Sequence, residues 1–216
     1  MTTPPIALAV IAKAPVPGRV KTRLSPPFSP AQAAALAQAA LEDTLAVVAA
    51  APTHRRVLVL EGEAGDWLPE GFEVIPQRGD GLAERLGDAF ATIAEPTLLV
   101  GMDTPQLGAD LLEHGMRMLT MHGVDAVQGD ATDGGYWAIG LMRPDRGAFA
   151  GVPMSADHTA DAQRARLAQL GLAVADLPAL RDVDDLDDAR AVAAQAPASR
   201  FAATLERLDA GAREAA

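Results

Sequence analysis

The 216-residue sequence contains no cysteine and few aromatic residues. The absence of cysteine excludes disulfide bonds and zinc sites with thiolate ligands, and it fits a protein of the cytosol. Aromatic residues make up 4% of the chain although hydrophobic residues make up 49%. We therefore expect a core built mainly from alanine, valine and leucine.

The chain also lacks a surplus of basic residues. Its 29 Asp and Glu residues outnumber 18 Lys and Arg residues, which gives a net charge of -11. This balance argues against nucleic acid and anionic membranes as partners, because both require a basic surface. A small anionic ligand remains compatible with it, because a few local cations suffice.

Targeting and membrane-spanning segments are absent from the pattern as well. The first residues show no basic region followed by a long apolar segment, and no apolar run approaches the length of a membrane span. We therefore expect a cytoplasmic protein with small-molecule partners. The oligomeric state stays open, with a homodimer as one alternative.

Short apolar runs alternate with helical segments along most of the chain. This alternation predicts an α/β three-layer sandwich with a mostly parallel sheet and one antiparallel strand near Tyr136. We expect a single domain over residues 1–216, in which 199–216 form a C-terminal helix and tail. The predicted strands are residues 6–12, 56–60, 72–76, the run that begins at Thr97, and 126–129, 136–141 and 173–177. The predicted helices are residues 30–50, the stretch from Asp80 to about 93, and 110–122, 157–170, 186–196 and 199–213.

An aspartate follows the apolar run that begins at Thr97. The run is apolar at consecutive positions, as in a strand covered on both faces, and it leads through Gly101 to Asp103. Ligands of open α/β sheets bind at the carboxyl ends of the strands, where Asp103 is placed to hold a divalent metal against a phosphate. The alternative is that Asp103 only begins the turn before Pro105.

Four cations lie in one short loop after the first strand. Residues 13–24 contain two prolines and Gly18, which rule out regular structure, together with Lys13, Arg19, Lys21 and Arg23. A loop in this position is a common phosphate site, and the alternative is a solvated basic loop. It is not a Walker loop, because the required Lys-Ser/Thr does not follow Gly18. We expect Lys21 to be solvated, so that its replacement leaves folding nearly unchanged.

Two further glycine-containing segments are candidates for ligand contact. In residues 77–86, Glu84 replaces the third glycine of a dinucleotide fingerprint, and Asp80 is interpreted as a helix cap that also contacts a ligand. Asp133, Gly134 and Gly135 form either a turn before a strand or a place where the backbone approaches a ligand closely.

Acidic residues are concentrated at 182–188. The sequence predicts that Asp185 caps a helix and that the carboxylates of the first turn interact with the helix dipole. Asp182 and Asp184 precede the cap, so capping does not explain them. As an i, i+2 pair in extended chain they share one face and could face a metal.

Four motifs together resemble a bacterial family of GT-A-fold, glycosyltransferase-like proteins. They are AKAPVPGRVKTRL (12–24), VGMDTPQL (100–107), DGGYWAIGL (133–141) and DVDDLDDA (182–189). Residues 20–30 also resemble the first loop of the guanylyltransferases that activate phospholactate or phosphoenolpyruvate. Family members often have a tryptophan with Ser or Thr after the DGG strand, whereas this chain has VPMSADHT at 152–159.

The resemblance implies a nucleotide-binding transferase that uses Mg²⁺ or Mn²⁺. It implies that Lys21 and Arg23 hold nucleotide phosphates and that Asp103 and Asp184 are metal ligands, with Asp182 as the alternative to Asp184. Lys21 and Asp103 are then the candidate catalytic residues. The full set expected to bind the nucleotide is Lys13, Gly18, Arg19, Lys21, Arg23, Asp80, Asp133, Gly134 and Gly135.

Three functions remain open at this point. The basic loop favours nucleotidyl transfer from a nucleoside triphosphate to a small phosphorylated or acidic acceptor, with release of pyrophosphate. The family resemblance favours glycosyl transfer from a nucleotide sugar, with residues 133–137 as the candidate sugar pocket. A nucleotide-binding protein without turnover is the third alternative.

Overall fold

The computed structural model describes residues 5–214, with seven strands and six α-helices in that range. The strands are β1 (Ala7–Lys13), β2 (Arg56–Glu61), β3 (Glu73–Pro76), β4 (Thr97–Gly101), β5 (Ala126–Ala131), β6 (Tyr136–Leu141) and β7 (Val174–Leu180). The helices are α1 (Pro30–Ala50), α2 (Leu82–Ile93), α3 (Ala109–Leu119), α4 (Thr159–Gln169), α5 (Leu186–Gln195) and α6 (Arg200–Glu214). Short 3-10 helices lie at Thr22–Leu24 and Arg146–Phe149.

The strands form one sheet in the order β3-β2-β1-β4-β6-β5-β7. Strand β6 runs antiparallel to its neighbours β4 and β5, and the other pairs are parallel. The predicted α/β architecture and the antiparallel strand at Tyr136 are therefore confirmed. From β1 the chain proceeds to β2 and β3 on one side and then returns to β4 on the other. The strand order thus reverses at β1 and β4, which places the expected ligand crevice outside their carboxyl ends.

Both faces of the central strands are buried. Alternate residues of β1 pack on one side with α1 and on the other with α2, as the twofold side-chain period of a strand requires. Val10 is fully buried against the α1 layer, and Ala9 is fully buried in the α2 layer with Phe90. The core is mainly aliphatic, as expected. Phe90 and Phe149 form an aromatic pair in it, with ring centroids 5.3 Å apart.

A third apolar cluster fixes two loops at the carboxyl edge of the sheet. Leu24, at the end of the basic loop, and Val183, within the acidic segment, are both fully buried among side chains of α1, α5 and α6. Core packing therefore brings the basic loop to the acidic segment, although they are distant in sequence.

Helix α1 corrects the expectation that no apolar segment approaches the length of a membrane span. Its 21 residues are long and apolar enough to cross a membrane by length and composition alone. However, 61% of its most apolar window is buried inside the protein. The apolar character of α1 is accounted for by its packing against the sheet and against α6.

The predicted helix cap at Asp185 is confirmed and that at Asp80 is not, and α1 has a capping box as well. Ser29 forms a capping box with Gln32 at the start of α1, and Asp185 forms one with Asp188 at the start of α5. The prediction that Asp80 caps α2 is wrong, because the N-cap residue is Gly81 and no side chain caps it. Instead the Asp80 backbone N–H donates to the carboxylate of Glu84, at 2.9 Å.

Two strands are longer than the sequence predicted. Strand β5 continues to Ala131 through a β-bulge near Asp130. Strand β7 continues through Pro178 to Leu180. Proline is tolerated there because β7 is an edge strand, where a missing backbone N–H costs no ladder hydrogen bond.

Candidate active site

A cleft of about 600 Å³ opens at the carboxyl edge of the sheet, beside the ends of β1 and β4. Most of the residues predicted to bind a ligand line it: Lys13, Arg19, Lys21, Arg23, Asp80, Asp103 and Asp184. Four other predicted residues are not among its lining residues: Gly18, Asp133, Gly134 and Gly135. The structure thus brings the cations of one loop and acidic residues of three other segments to a single cleft.

Asp103 lies two residues beyond β4 and is paired with Lys21. The Lys21 ammonium donates to Asp103 Oδ1 at 2.6 Å and also to the backbone carbonyl of Val183. The Val183 N–H in turn donates to the Asp103 carbonyl at 3.0 Å. These bonds tie the basic loop, the loop after β4 and the acidic segment together.

The expectation that Lys21 is a solvated surface residue is wrong. Its side chain is only 9% exposed, whereas that of Asp103 is 47% exposed. Its backbone adopts the left-handed conformation, with φ 48° and ψ 40°. Such conformations cost about 1–3 kcal/mol in non-glycine residues and are concentrated at functional sites.

Ser155 is the second cleft residue with a left-handed backbone, at φ 58°. It belongs to the segment in which this chain departs from the pattern of the family it resembles. No sequence signal distinguished it, because left-handed conformations are not encoded by serine in the way that they are by glycine. The structure therefore adds Ser155 to the candidate site.

Three carboxylates converge beside the cleft. One oxygen each from Asp133, Asp182 and Asp184 lies within 4.8 Å of the others, and we call this group the acidic cluster. Burial, reinforced by the negative charges of Asp133 and Asp184, raises the pKa of Asp182 to about 6, against the opposing charge of Lys21. Asp103 is not a member of the acidic cluster.

The donor set of the acidic cluster fits a hard divalent cation. Carboxylate oxygens are the ligands that Mg²⁺ and Mn²⁺ prefer, and three like charges held this close are relieved by a cation. Asp184 connects the cluster to the cleft, because it alone of the three is a lining residue.

Arg23 neutralises Asp184 in the structure. Its guanidinium lies 2.5 Å from Asp184 Oδ2, and the two side chains are 74% and 39% exposed. Arg23 is thus paired with a carboxylate of the acidic cluster, on the solvent-facing side of the site.

The Asp133–Gly134–Gly135 segment is a tight turn that packs against the start of α4. Gly134 has φ +92°, and a Cβ on it would lie 2.0 Å from the carbonyl oxygen of Asp157. The Gly135 N–H donates to Asp133 Oδ1 at 2.7 Å, which helps to orient that carboxylate. Gly134 therefore allows the turn to approach the backbone before α4 closely, and the turn places Asp133 in the acidic cluster.

Sequence reasoning missed Arg85, which lines the cleft, whereas its partner Glu61 is not among the lining residues. Arg85, one turn into α2, is paired with Glu61 at the end of β2, and Lys13 lies 3.7 Å from the same carboxylate. Burial opposes ionisation of Glu61, but the hydrogen bond from Arg85 and the nearby cations outweigh it and lower the pKa of Glu61. The rule that strand ends carry ligand residues could have found Glu61, because it ends a parallel strand as Asp103 follows one.

This fold is shared with proteins of solved structure. The structure of a "putative nucleotide-diphospho-sugar transferase" from Desulfovibrio desulfuricans G20 superimposes with a TM-score of 0.85 over 96% of both chains, at 25% sequence identity. Rv0371c from Mycobacterium tuberculosis H37Rv, in complex with manganese, has a TM-score of 0.52 at 22% identity, covering 88% of this chain and 98% of its own. CMP:2-keto-3-deoxy-manno-octonic acid synthetase with CTP has a TM-score of 0.55 at 13% identity, covering 88% of this chain and 99% of its own. The chain has the nucleotide-diphospho-sugar transferase fold, of the GT-A type.

Residues 34–156 match the model of a bacterial family described as "Uncharacterized protein conserved in bacteria (DUF2064)". Because the match spans more than half of the chain, the protein belongs to this family. The resemblance to a GT-A-like family of uncertain activity is therefore confirmed. A sequence search of curated proteins found no match.

Proposed function

We propose that this protein is a metal-dependent nucleotidyltransferase that acts at the cleft described above. An oxygen of a small phosphorylated or acidic acceptor attacks the α-phosphate of a nucleoside triphosphate. The acceptor O–P bond forms, the bond between the α-phosphorus and the bridging oxygen breaks, and pyrophosphate leaves. The structural neighbours support the broader class, a nucleotide-binding transferase of the GT-A type.

One observation carries the proposal: a loop with four cations and an acidic cluster meet at the same cleft of an otherwise acidic protein. A triphosphate needs positive charge along its length and a divalent cation between its oxygens. Pyrophosphate as a leaving group needs fixed cations in addition to the metal. A diphosphate sugar donor carries less charge and has less need of so many cations.

The metal would be held by Asp184 together with Asp103, as predicted, or with Asp182 and Asp133 of the acidic cluster. A divalent cation bound there would neutralise and orient the phosphate oxygens. Manganese accompanies a neighbouring protein of the same fold, Rv0371c, which supports the choice of Mg²⁺ or Mn²⁺.

The four cations of the basic loop have different roles in nucleotide binding. Lys13, Arg19 and Arg23 are exposed and can reach the phosphates of a bound nucleotide. Lys21 is held by Asp103 and Val183, which leaves the third N–H of its ammonium group for a phosphate oxygen. Its position is therefore fixed before the nucleotide binds.

Glycosyl transfer is the second candidate function. It is favoured by the structure from Desulfovibrio desulfuricans, which covers nearly the whole chain and is described as a nucleotide-diphospho-sugar transferase. The expected sugar pocket at residues 133–137 has weaker support, because Trp137 is 3% exposed and its indole N–H donates to the Pro178 carbonyl.

The two reactions are distinguished by their products. The protein would be incubated with Mg²⁺, a panel of nucleoside triphosphates or nucleotide sugars, and small phosphorylated acids and alcohols. Pyrophosphate that is released only when an acceptor is present supports nucleotidyl transfer. Release of nucleoside diphosphate from a nucleotide sugar, without pyrophosphate from any triphosphate, would refute it in favour of glycosyl transfer.

A matched pair of variants links the activity to the site. We expect Asp184→Asn to abolish pyrophosphate release. Asp187→Asn is the control, because it removes a carboxylate three residues away whose side chain is 95% exposed and does not line the cleft. Equal loss in both variants would indicate a general charge effect and would remove Asp184 from the mechanism.

A further inference from the structure

The two ion pairs of the basic loop differ in burial. Lys21 has a 9% exposed side chain and donates both to Asp103 and to a backbone carbonyl. Arg23 has a 74% exposed side chain, and within residues 5–214 Asp184 is its one hydrogen-bond partner. Arg23 can therefore leave its carboxylate without breaking another side-chain hydrogen bond or ion pair within residues 5–214.

Arg23 also occupies a carboxylate that the bound metal would need. Asp184 Oδ2 accepts from the Arg23 guanidinium, and Asp184 is the member of the acidic cluster that lines the cleft. In the free protein the guanidinium thus supplies the positive charge that a cation would otherwise supply at this position.

We propose that Arg23 is an exchangeable counter-ion, which neutralises Asp184 in the free protein and moves to the phosphates when a metal–nucleotide complex binds. The proposal rests on the proposed function, since it assumes that this cleft takes a metal with a polyphosphate. The exchange is inexpensive because solvent-exposed ion pairs are weak. The phosphate is a suitable new partner, because the planar guanidinium binds phosphate oxygens through two hydrogen bonds.

The exchange couples the two ligands of the site. A divalent cation alone must displace Arg23 from Asp184, whereas a polyphosphate that arrives with the cation gives Arg23 another partner. By linkage, each ligand then strengthens the binding of the other. Removal of Arg23 should therefore change the two affinities in opposite directions, which a simple loss of a phosphate contact would not do.

The test compares Arg23→Gln with the unmodified protein, using Mn²⁺ alone and the complex of Mn²⁺ with inorganic triphosphate. Inorganic triphosphate is the probe because it requires no choice of nucleobase. Binding of Mn²⁺ is measured by electron paramagnetic resonance, and binding of the complex by calorimetry. Compared with the unmodified protein, Arg23→Gln should bind Mn²⁺ alone about two- to fivefold more tightly. It should bind the complex more weakly, by a factor of about five or more.

Lys13→Gln is the matched control, because it removes one positive charge from the same loop at a residue that is paired with Glu61 instead of Asp184. It should change the affinity for Mn²⁺ alone by less than about 1.5-fold, because screened charges that are not in contact interact weakly. Arg23→Lys, which keeps the charge, should return the Mn²⁺ affinity towards that of the unmodified protein.

Three results would overturn the exchange. They are an unchanged Mn²⁺ affinity in Arg23→Gln, an equal gain in Lys13→Gln, and the absence of Mn²⁺ binding to either protein. Failure of the proposed reaction is a separate result. If the opposite changes in affinity are found but no acceptor releases pyrophosphate, the exchange stands and nucleotidyl transfer does not.

Discussion

Lys21 and Arg23 lie two residues apart in one loop, and each is paired with an aspartate of the candidate site, yet their surroundings are opposite. The Lys21 side chain is nearly buried, has a second partner in the Val183 carbonyl, and extends from a left-handed backbone. The Arg23 side chain is mostly in solvent and, in the part of the chain that the structure describes, has a single ionic partner, Asp184. Two cations of one loop thus differ in role: Lys21 is a fixed structural element, and Arg23 makes a replaceable contact.

The difference originates in the core beneath the loop. Leu24 and Val183 are fully buried in one apolar cluster, so the backbones on both sides of the Lys21 contact are held in place. Lys21 is directed towards that junction, whereas Arg23 extends along its solvent side. A cation in a phosphate-binding loop therefore cannot be assigned to ligand binding from its residue type alone.

Replacing Lys21 should have the largest effect on stability. Lys21→Met leaves the Asp103 carboxylate and the Val183 carbonyl without their partner, which should cost about 2 kcal/mol of the free energy of unfolding. Arg23→Gln should cost no more than about 0.5 kcal/mol, because exposed ion pairs contribute little. In a domain of this size, thermal unfolding should show melting temperatures lowered by roughly 4–8 °C and by less than about 2 °C, respectively.

Equal and small changes in the two variants would contradict this comparison. Lys21 would then be the solvated residue that the sequence predicted, and the distinction between a fixed and an exchangeable pair would be lost.

Asp182→Asn should have an intermediate effect on stability, and it tests whether the acidic cluster is strained by repulsion between its carboxylates. Because burial and two neighbouring carboxylates raise the pKa of Asp182 to about 6, the folded state retains its proton to a higher pH than the unfolded chain does. Stability from this group therefore falls as the pH rises from about 4 to 6. Asp182→Asn should therefore raise the free energy of unfolding by about 1 kcal/mol at pH 7, a value that allows for solvent screening of this half-exposed group.

Chemical unfolding in EDTA at pH 4 and pH 7 measures this gain. It should be present at pH 7 and absent at pH 4, and added Mn²⁺ should stabilise the original protein more than Asp182→Asn. A variant that is less stable at pH 7 would mean that the Asp182 carboxylate makes a favourable contact in the folded state, and that the cluster is not strained by repulsion.

Glu61→Gln should have the smallest effect, with the opposite dependence on pH. Arg85 and the nearby cations lower the pKa of Glu61, so its contribution to stability is present above its ordinary pKa and is lost as the pH falls through the folded-state value. At pH 7 the free energy of unfolding of Glu61→Gln should be lower by about 0.5 kcal/mol, since the pair of Glu61 with Arg85 is partly exposed. A loss that persists undiminished at pH 3 would show that shape, and not charge, is responsible.

The sequence predicted the fold well because the strands of this sheet have clear apolar patterns. Consecutive apolar residues at β1, β2 and β4 indicate strands buried on both faces, and the start of α1 follows from its capping residues Ser29 and Gln32. The errors arose where a local signal has two interpretations. Asp80 is a good cap by residue type, but α2 begins one residue later, at a glycine N-cap.

The sequence predicted many of the residues of the candidate site, but not which of them are in contact with one another. The strand-end rule indicated Asp103, the family resemblance indicated Asp184, and their shared metal remains a prediction. The acidic cluster could not be derived, because it depends on β5 and β7 being neighbours in the sheet, which brings Asp133 and Asp182 together. The burial of Lys21 depends in the same way on a contact between segments that are far apart in sequence.

The most direct test is a crystal structure with Mn²⁺ and a non-hydrolysable nucleoside triphosphate, chosen from the panel by thermal shift. Anomalous scattering locates the manganese independently of the phosphates. We expect Mn²⁺ on an oxygen of Asp184, Lys21 still in contact with Asp103, and the Arg23 guanidinium on a phosphate oxygen. Manganese bound away from Asp184, with Arg23 still paired to that carboxylate, would contradict this expectation.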